Sequence, residues 1–146
     1  MKVTLDTNAV VSGIFWLGNS NTILHMIASG ELENVTSEEI FKEHDDVCFR
    51  DEILGKTDLD EADIRASLDE LRDKSAFVNP KQNFNAVKDD PKDNKFIDAA
   101  YEGKSKYVIT NDRHLLKLKE FKGVKMVTPE DFIGIWISNQ KSKYFY

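Results

Sequence analysis

Residues 107–112, which read YVITND, contain the clearest strand of this sequence, and they end in an acid. The apolar run is short and bounded by polar residues, which is typical of a buried strand. The chain opens on a similar run, because Val3–Leu5 is followed directly by Asp6. Two predicted strands therefore each lead into an aspartate, Asp6 in one case and Asp112 in the other.

Stretches with helical spacing separate the apolar runs along the chain. Strands are predicted at 3–5, 33–36, 76–78, 107–110 and 124–127, and helices at 19–29, 37–54, 58–74, 92–102, 114–119 and from 128 onwards. Alternation of strands with helices favours parallel pairing, because each helix carries the chain back across one face of the sheet. The predicted fold class is α/β, with three α/β/α layers and a parallel sheet of five strands.

The length of 146 residues suits one domain, and 40% hydrophobic with 32% charged residues is a typical globular composition. We expect this domain at 1–137, followed by a C-terminal tail at 138–146. No apolar run approaches the roughly 18 residues of a membrane span, and Asp6 interrupts any secretory signal. The single cysteine, Cys48, excludes an intramolecular disulfide and a cysteine metal cluster. We therefore expect a cytoplasmic protein with no membrane partner.

The net charge of −6 at first argues against a nucleic-acid partner, but the charges are unevenly distributed. Residues 31–73 carry sixteen acids against five bases, whereas residues 104–125 carry seven bases against two acids. A basic region on an acidic protein can still hold a phosphate backbone. Arg113, Lys117 and Lys119 are the candidate contacts. The alternative is that both regions are ordinary solvated helix faces.

Four acids have positions that suggest a metal site. Asp6 and Asp112 follow strands, and ligands of open α/β sheets collect beyond the carboxyl ends of the strands. Asp93 opens a predicted helix, and Glu43 lies in the helix that follows the second strand. Carboxylates gathered in this way repel unless a cation lies between them, and oxygen ligands suit Mg²⁺ or Mn²⁺. The usual chemistry of such sites is phosphodiester hydrolysis.

Each acid alone also has an ordinary structural explanation. Asp6 and Asp112 suit turns or helix caps, Asp93 gains from the dipole of its helix, and Glu43 suits an exposed helix position. The joint arrangement is what favours a site. No spacing among His25, His44 and His114 suggests zinc, and no glycine-rich loop follows a strand, which argues against nucleoside-triphosphate binding.

Four segments resemble, in order, the acidic motifs of PIN domains. They are VTLDTN at 3–8, SEEIFKE at 37–43, DPKDNKF at 90–96 and YVITND at 107–112. The third is similar to the corresponding segment of the bacterial toxin branch, the VapC-like ribonucleases. The resemblance extends over residues 2 to about 133. It implies a sheet of order 3-2-1-4-5, with Asp6 and Asp112 on adjacent strands.

The resemblance also implies roles for individual residues. Catalytic and metal-binding roles fall on Asp6, Glu43, Asp93 and Asp112. Groups that orient these carboxylates by hydrogen bonds would be Thr7, Asn8 and Thr110, and Asp98 would add an outer acid. Two features depart from the family pattern: His44 stands where an apolar residue usually follows the second acid, and Glu39 offers a competing carboxylate one turn before Glu43.

The implied function is an endoribonuclease that uses one or two Mg²⁺ or Mn²⁺ ions. The toxin branch further implies the toxin half of a toxin–antitoxin pair, with RNA as substrate, a small antitoxin protein as partner and a possible homodimer. The alternatives are a structure-specific or RNA-processing nuclease, and a non-catalytic PIN-fold module used for binding.

Overall fold

A mostly parallel sheet occupies the centre of the protein, with helices on both faces. The computed structural model describes residues 1–145, with side chains up to residue 143. The strands are β1 Lys2–Leu5, β2 Glu33–Thr36, β3 Ser75–Phe77, β4 Tyr107–Ile109, β5 Glu120–Phe121 and β6 Val124–Val127. The helices are α1 Thr7–Phe15, α2 Asn19–Ala28, α3 Glu38–Cys48, α4 Asp51–Leu54, α5 Glu61–Asp73, α6 Asn94–Glu102, α7 Arg113–Leu118 and α8 Pro129–Phe145, with a 3-10 turn at Pro91–Asp93 before α6.

The strands lie in the order β3-β2-β1-β4-β6-β5. All neighbours pair in parallel except β5, which is antiparallel to β6. The predicted order 3-2-1-4-5 is confirmed, with β6 as its fifth strand, and so is the three-layer α/β fold class. The sixth strand, β5, was not predicted, because it has only two residues. It joins β6 through the Lys122–Gly123 turn, where both residues have positive φ.

Two helical regions differ from the prediction. Helix α1 was missed, because Thr7, two adjacent valines and Gly13 give its sequence a low helix propensity. Burial of one face against α2 and α3 stabilises it instead. The single helix predicted at 37–54 is broken, because Arg50 adopts an extended conformation between α3 and α4.

The core lies on both faces of the sheet, as the alternation of strand side chains requires. In β4, Tyr107 and Ile109 belong to the cluster that contains Phe132 of α8, whereas Val108 belongs to the cluster that contains Phe96 of α6. All five are buried. Each such side chain contributes about 1.5–3 kcal/mol by leaving water, so the two layers fix the sheet between them.

Helix α8 runs without a break through residue 137, where a boundary between domain and tail was expected. Residues 138–145 are therefore helical, and Tyr146 lies outside the described residues. The boundary itself stays a prediction. None of the helices in residues 1–145 has the length and apolar character that a membrane crossing requires.

The order in which strands are added to the sheet changes side between the parallel strands β1 and β4. From β1 it builds outward to β2 and β3, and then returns through α6 to β4 on the other side of β1. Leu5 is in register with Ile109, and the Asp6 amide donates to the Ile109 carbonyl over 3.2 Å. The residues that follow these two strands therefore meet at one edge of the sheet.

Candidate metal centre

A cavity at the carboxyl ends of β1 and β4 collects most of the acids singled out in the sequence. Five carboxylates line it, those of Asp6, Glu43, Asp90, Asp93 and Asp112. Arg50 and Lys92 also line it. The four predicted acids therefore share one cavity, and Asp90 joins them.

Asp6 is the deepest of these acids. It is 3% exposed and caps α1, with its Oδ1 accepting from the Ala9 amide over 2.8 Å. Burial raises its pKa to about 6, against the lowering effect of hydrogen bonds from Thr110 and Ala9; Asp112 and Glu43 add to the rise. Asp6 thus releases its proton only near neutral pH unless a cation compensates its charge.

Thr110 connects the acids of the two central strands. Its hydroxyl donates to Oδ2 of Asp6, and its Oγ1 accepts from the Asp112 amide over 2.8 Å. Asp112 in turn caps α7, because its Oδ1 accepts from the His114 amide over 2.7 Å. Asp6 and Asp112 are therefore helix caps as well as cavity acids, and Thr110 fixes their relative positions.

Asp93 lies in the 3-10 turn that leads into α6, where it meets two other acids. One carboxylate oxygen from each of Asp90, Asp93 and Asp112 lies within 4.8 Å of the others. Burial, and next the charges of Asp112, Asp90 and Asp6, raise the pKa of Asp93 to about 7. Its Oδ2 is buried and has no hydrogen-bond partner among the described residues.

These three carboxylates fit a hard divalent cation. An unpartnered buried carboxylate oxygen between like charges is costly, and a cation in contact with it removes both the repulsion and the lost hydration. The donor set consists of carboxylate oxygens only, which Mg²⁺ and Mn²⁺ prefer and zinc does not.

Glu43 reaches the same cavity from α3 but has a different partner. Its Oε2 lies 2.6 Å from Nζ of Lys95. Burial opposes the ionisation of Glu43, yet hydrogen bonds from Lys95 and Thr7, together with the Lys95 charge, hold its pKa below the usual range. The competing acid Glu39 lines a separate cavity with Asp98. The structure therefore places Glu43, and not Glu39, beside the other acids.

His44, the departure from the family pattern, lies behind Glu43 in the core. It is fully buried, and its Nδ1 lies 2.9 Å from Oγ1 of Thr7. Burial lowers its pKa to about 3, so the ring is neutral at physiological pH. Thr7 therefore contacts both His44 and Glu43, which links the start of α1 to α3.

The other predicted orienting residues divide between the cavity and its surroundings. Asn8 is exposed and lines the cavity, and Thr110 lies at its base. Asp98 does not join the acids: its Oδ1 accepts from the Phe84 amide over 3.1 Å, so it anchors the loop before the 3-10 turn. The expectation that Asp98 would be an outer acid of the site does not fit this position.

Sequence reasoning missed four charged residues around the cavity, namely Asp90, Arg50, Lys92 and Lys95. Three of them lie within the DPKDNKF segment, which resembles a PIN-domain motif, so the segment itself carried the signal. Arg50 had no such signal, because the break between α3 and α4 brings it to the cavity.

The basic region at 104–125 is not one surface. Lys104, Lys106 and Lys122 lie together before β4 and β6, at the amino ends of the strands. The Lys106 amide donates to the Lys2 carbonyl, which places it about 13 Å from the Asp6 end of β1, at roughly 3.3 Å per strand residue. Arg113 and Lys117 are exposed on α7, which begins beside Asp112. Lys119 is also exposed, one residue beyond α7.

A family model described as PIN domain matches residues 2–114, which span all of these acids. The chain belongs to the PIN-domain family. It is 34% identical over 142 residues to Uncharacterized protein MJ1680 from Methanocaldococcus jannaschii, covering 91% of this chain and 90% of that protein. The crystal structure of PAE2754 from Pyrobaculum aerophilum superposes with a TM-score of 0.63 over 94% of this chain and 90% of that one, at 14% identity.

These similarities confirm the family and the fold of this PIN domain. The structural likeness is at too low an identity to carry more than the fold. The resemblance to the bacterial toxin branch is not confirmed, since the similar curated protein is archaeal and uncharacterized.

We predict that the stability of an Asp6→Asn variant, relative to wild type, rises between pH 4 and pH 7 in a chelator. The pKa of Asp6 is about 6 in the folded protein against an ordinary value of 3.8, so the native state holds this proton more tightly. The stability that this group contributes is present below pH 3.8 and is lost as the pH rises through about 6. Asparagine does not ionise and has no such loss. Across this pH range the unfolding free energy of the variant therefore rises relative to wild type by up to about 3 kcal/mol, at roughly 1.4 kcal/mol per pKa unit.

Urea unfolding at fixed ionic strength measures this difference. Other groups titrate in the same window, His44 among them with the opposite sign, so variant and wild type are compared at each pH. Asp46→Asn, which removes an exposed acid of α3, is the control and should keep a constant difference from wild type. A constant difference for Asp6→Asn would show that Asp6 ionises normally.

Proposed function

We propose that this PIN domain is an endoribonuclease that requires Mg²⁺ or Mn²⁺ and hydrolyses RNA phosphodiester bonds. The observation that carries the proposal is the approach of Asp90, Asp93 and Asp112 within 4.8 Å of one another, beside buried Asp6. Family membership supports a nuclease, because PIN domains are generally metal-dependent nucleases. The chemistry of the cavity and the family therefore point to the same reaction.

Asp90, Asp93 and Asp112 would hold the divalent ion, with Asp6 next to them. A divalent ion at this place supplies Lewis acidity and neutralises charge that develops on the phosphate. The protein contributes a fixed geometry: Thr110 joins Asp6 to Asp112, and both acids are tied to helix amino termini. Carboxylates held in this way need little rearrangement during the reaction.

Cations around the acids would bind the RNA backbone. Arg50 and Lys92 line the cavity, and Arg113 and Lys117 are exposed on the neighbouring helix α7. Contacts of this kind supply affinity without sequence preference and make binding sensitive to salt. Lys119, at the end of α7, would extend the same path.

The biological role that we propose is the toxin of a toxin–antitoxin pair, which acts in the cytoplasm as a homodimer and has a small antitoxin protein as its partner. Its support is the similarity of residues 90–96 to the bacterial toxin branch. A structure-specific or RNA-processing nuclease would use the same acids, and a binding module would keep the fold without cleavage. The choice between these roles rests on the substrate.

We predict that the purified protein cleaves single-stranded RNA internally with Mg²⁺ or Mn²⁺ but not in a chelator, and that Asp6→Asn lowers the rate more than about 100-fold. Asp6 is buried next to the acids that would hold the ion, so its charge contributes directly to the site. Gel analysis of a labelled RNA measures cleavage, and circular dichroism checks that the variant folds.

Parallel substrates separate the alternatives. Preferential cleavage of DNA flaps or of structured RNA would favour the structure-specific nuclease. RNA binding without cleavage at any divalent ion would favour the binding module. Wild-type turnover in Asp6→Asn would contradict the site. If the protein is a toxin, its expression should arrest bacterial growth and Asp6→Asn should relieve the arrest.

A second prediction distinguishes two acids on one helix. Glu43→Gln should lower the cleavage rate by about 10–100-fold, the usual effect of removing a group that supports a metal site. Glu39→Gln should stay within about twofold, as surface substitutions usually do, because Glu39 is exposed and lines another cavity. Equal losses of cleavage rate in the two variants would contradict the assignment of Glu43, because Glu43 lies beside the other cavity acids and Glu39 does not.

A third prediction concerns the RNA path. Arg50→Ala with Lys92→Ala should weaken RNA binding and flatten its salt dependence by about 0.7 in slope per lost contact. The matched control is Lys104→Ala with Lys106→Ala, which removes the same charge at the opposite end of the sheet. Fluorescence anisotropy over a salt series in a chelator gives both slopes. Equal losses in the two double variants would indicate non-specific attraction only.

A further inference from the structure

Lys95 places a fixed ammonium group against Glu43, one of the acids that line the acidic cavity. Its Nζ lies 2.6 Å from Oε2 of Glu43, and its side chain is only 10% exposed. The ammonium also donates to the Lys92 carbonyl and lies 4.9 Å from the centre of the Phe96 ring. Contacts from α3 and from the 92–96 segment therefore hold this cation in place, unlike an ordinary surface lysine.

Four of the five cavity acids divide into two groups by their charged partners. Glu43 has the Lys95 ammonium as a counter-ion. Asp90, Asp93 and Asp112 form the close oxygen cluster, and none of them has a salt bridge among the residues whose side chains are described. The fifth acid, Asp6, has neutral hydrogen-bond donors, the Ala9 amide and the Thr110 hydroxyl, as its partners. Among the other four acids, the negative charge without a counter-ion therefore belongs to Asp90, Asp93 and Asp112.

We propose that Lys95 acts as a built-in cation for the Glu43 side of the cavity, so that the protein binds one divalent ion, at Asp90, Asp93 and Asp112. Glu43 is then a positioning residue and not a ligand of that ion. This inference rests on the proposed metal-dependent function, and it decides between the one-ion and two-ion arrangements that the family resemblance left open.

The physical reason is competition for the same carboxylate. Ions in two-metal sites lie about 3.5–4 Å apart and share ligands between them. An ion on Glu43 would approach an ammonium group that is already in contact with that carboxylate, and the two positive charges would repel. Expulsion of Lys95 would in turn leave a largely buried ammonium without its partner, which is costly.

The test counts bound Mn²⁺ per chain, from the electron paramagnetic resonance signal of free Mn²⁺ during a titration and from calorimetry. Wild type should bind one ion. Lys95→Met keeps the length of the side chain but removes its charge, so Glu43 becomes available and two ions should bind. Lys92→Met, the matched control, removes a lysine that lines the acidic cavity but has no ion pair with Glu43, and it should still bind one.

The double variant Lys95→Met/Glu43→Gln replaces the ion pair with a neutral pair and leaves no unpaired buried charge. It should bind one Mn²⁺, with an affinity within about tenfold of wild type, the lower end of the effect of removing an outer partner. Loss of the ion in this variant would show that Glu43 is a ligand and would overturn the proposal. This comparison holds even if Lys95→Met alone does not fold.

The remaining outcomes separate this inference from the proposed function. Two ions of similar affinity in wild type, or one ion in a cooperatively folded Lys95→Met, would overturn the role of Lys95 while leaving a metal-dependent nuclease intact. No Mn²⁺ bound by wild type would overturn the metal site and both proposals with it.

Discussion

The hydrogen bonds of the Thr110 hydroxyl hold the site together. The group donates to the Asp6 carboxylate and accepts from the Asp112 amide, so one atom joins the ends of β1 and β4. Asp6 and Asp112 also cap α1 and α7, and the directions of these two helices therefore depend on the same contact. Because a threonine hydroxyl can donate and accept at once, it can join a carboxylate to an amide where a second acid could not.

Repulsion among the acids is what the rest of the structure has to balance. Burial and mutual charge raise the pKa of Asp6 to about 6 and that of Asp93 to about 7, while the pKa of Glu43 falls because Lys95 supplies a positive charge. The two buried hydrophobic clusters and the parallel pairing of β1 with β4 offset the unfavourable free energy of this repulsion. A divalent ion that binds only the assembled cluster would return part of that cost, by mass action.

The sequence was most informative where local pattern and tertiary position coincide. The β1 and β4 acids could be predicted because strand ends in a parallel sheet share one edge, and the family resemblance added Glu43 and Asp93. Helix α1 could not be predicted, because burial overrides its weak propensity. Asp98 lies five residues after Asp93, which is about 140° around a helix of 3.6 residues per turn, and its carboxylate accepts from the Phe84 amide instead of joining the cavity acids. The Glu43–Lys95 pair joins residues that are distant in sequence, so no spacing rule could show it.

The segment 90–96 brings charges of both signs to the acidic cavity and to Glu43. Pro91 opens a 3-10 turn that brings Asp90 and Asp93 to the cavity, with Lys92 between them. Lys95, the second residue of α6, contacts Glu43 and is largely shielded from the solvent. Under the proposed function, the segment supplies two acids that would hold a cation, a lysine that would meet phosphate, and the lysine that pairs with Glu43. The net charge of −6 therefore says little about the partner, because the order of charges within this turn sets the local field.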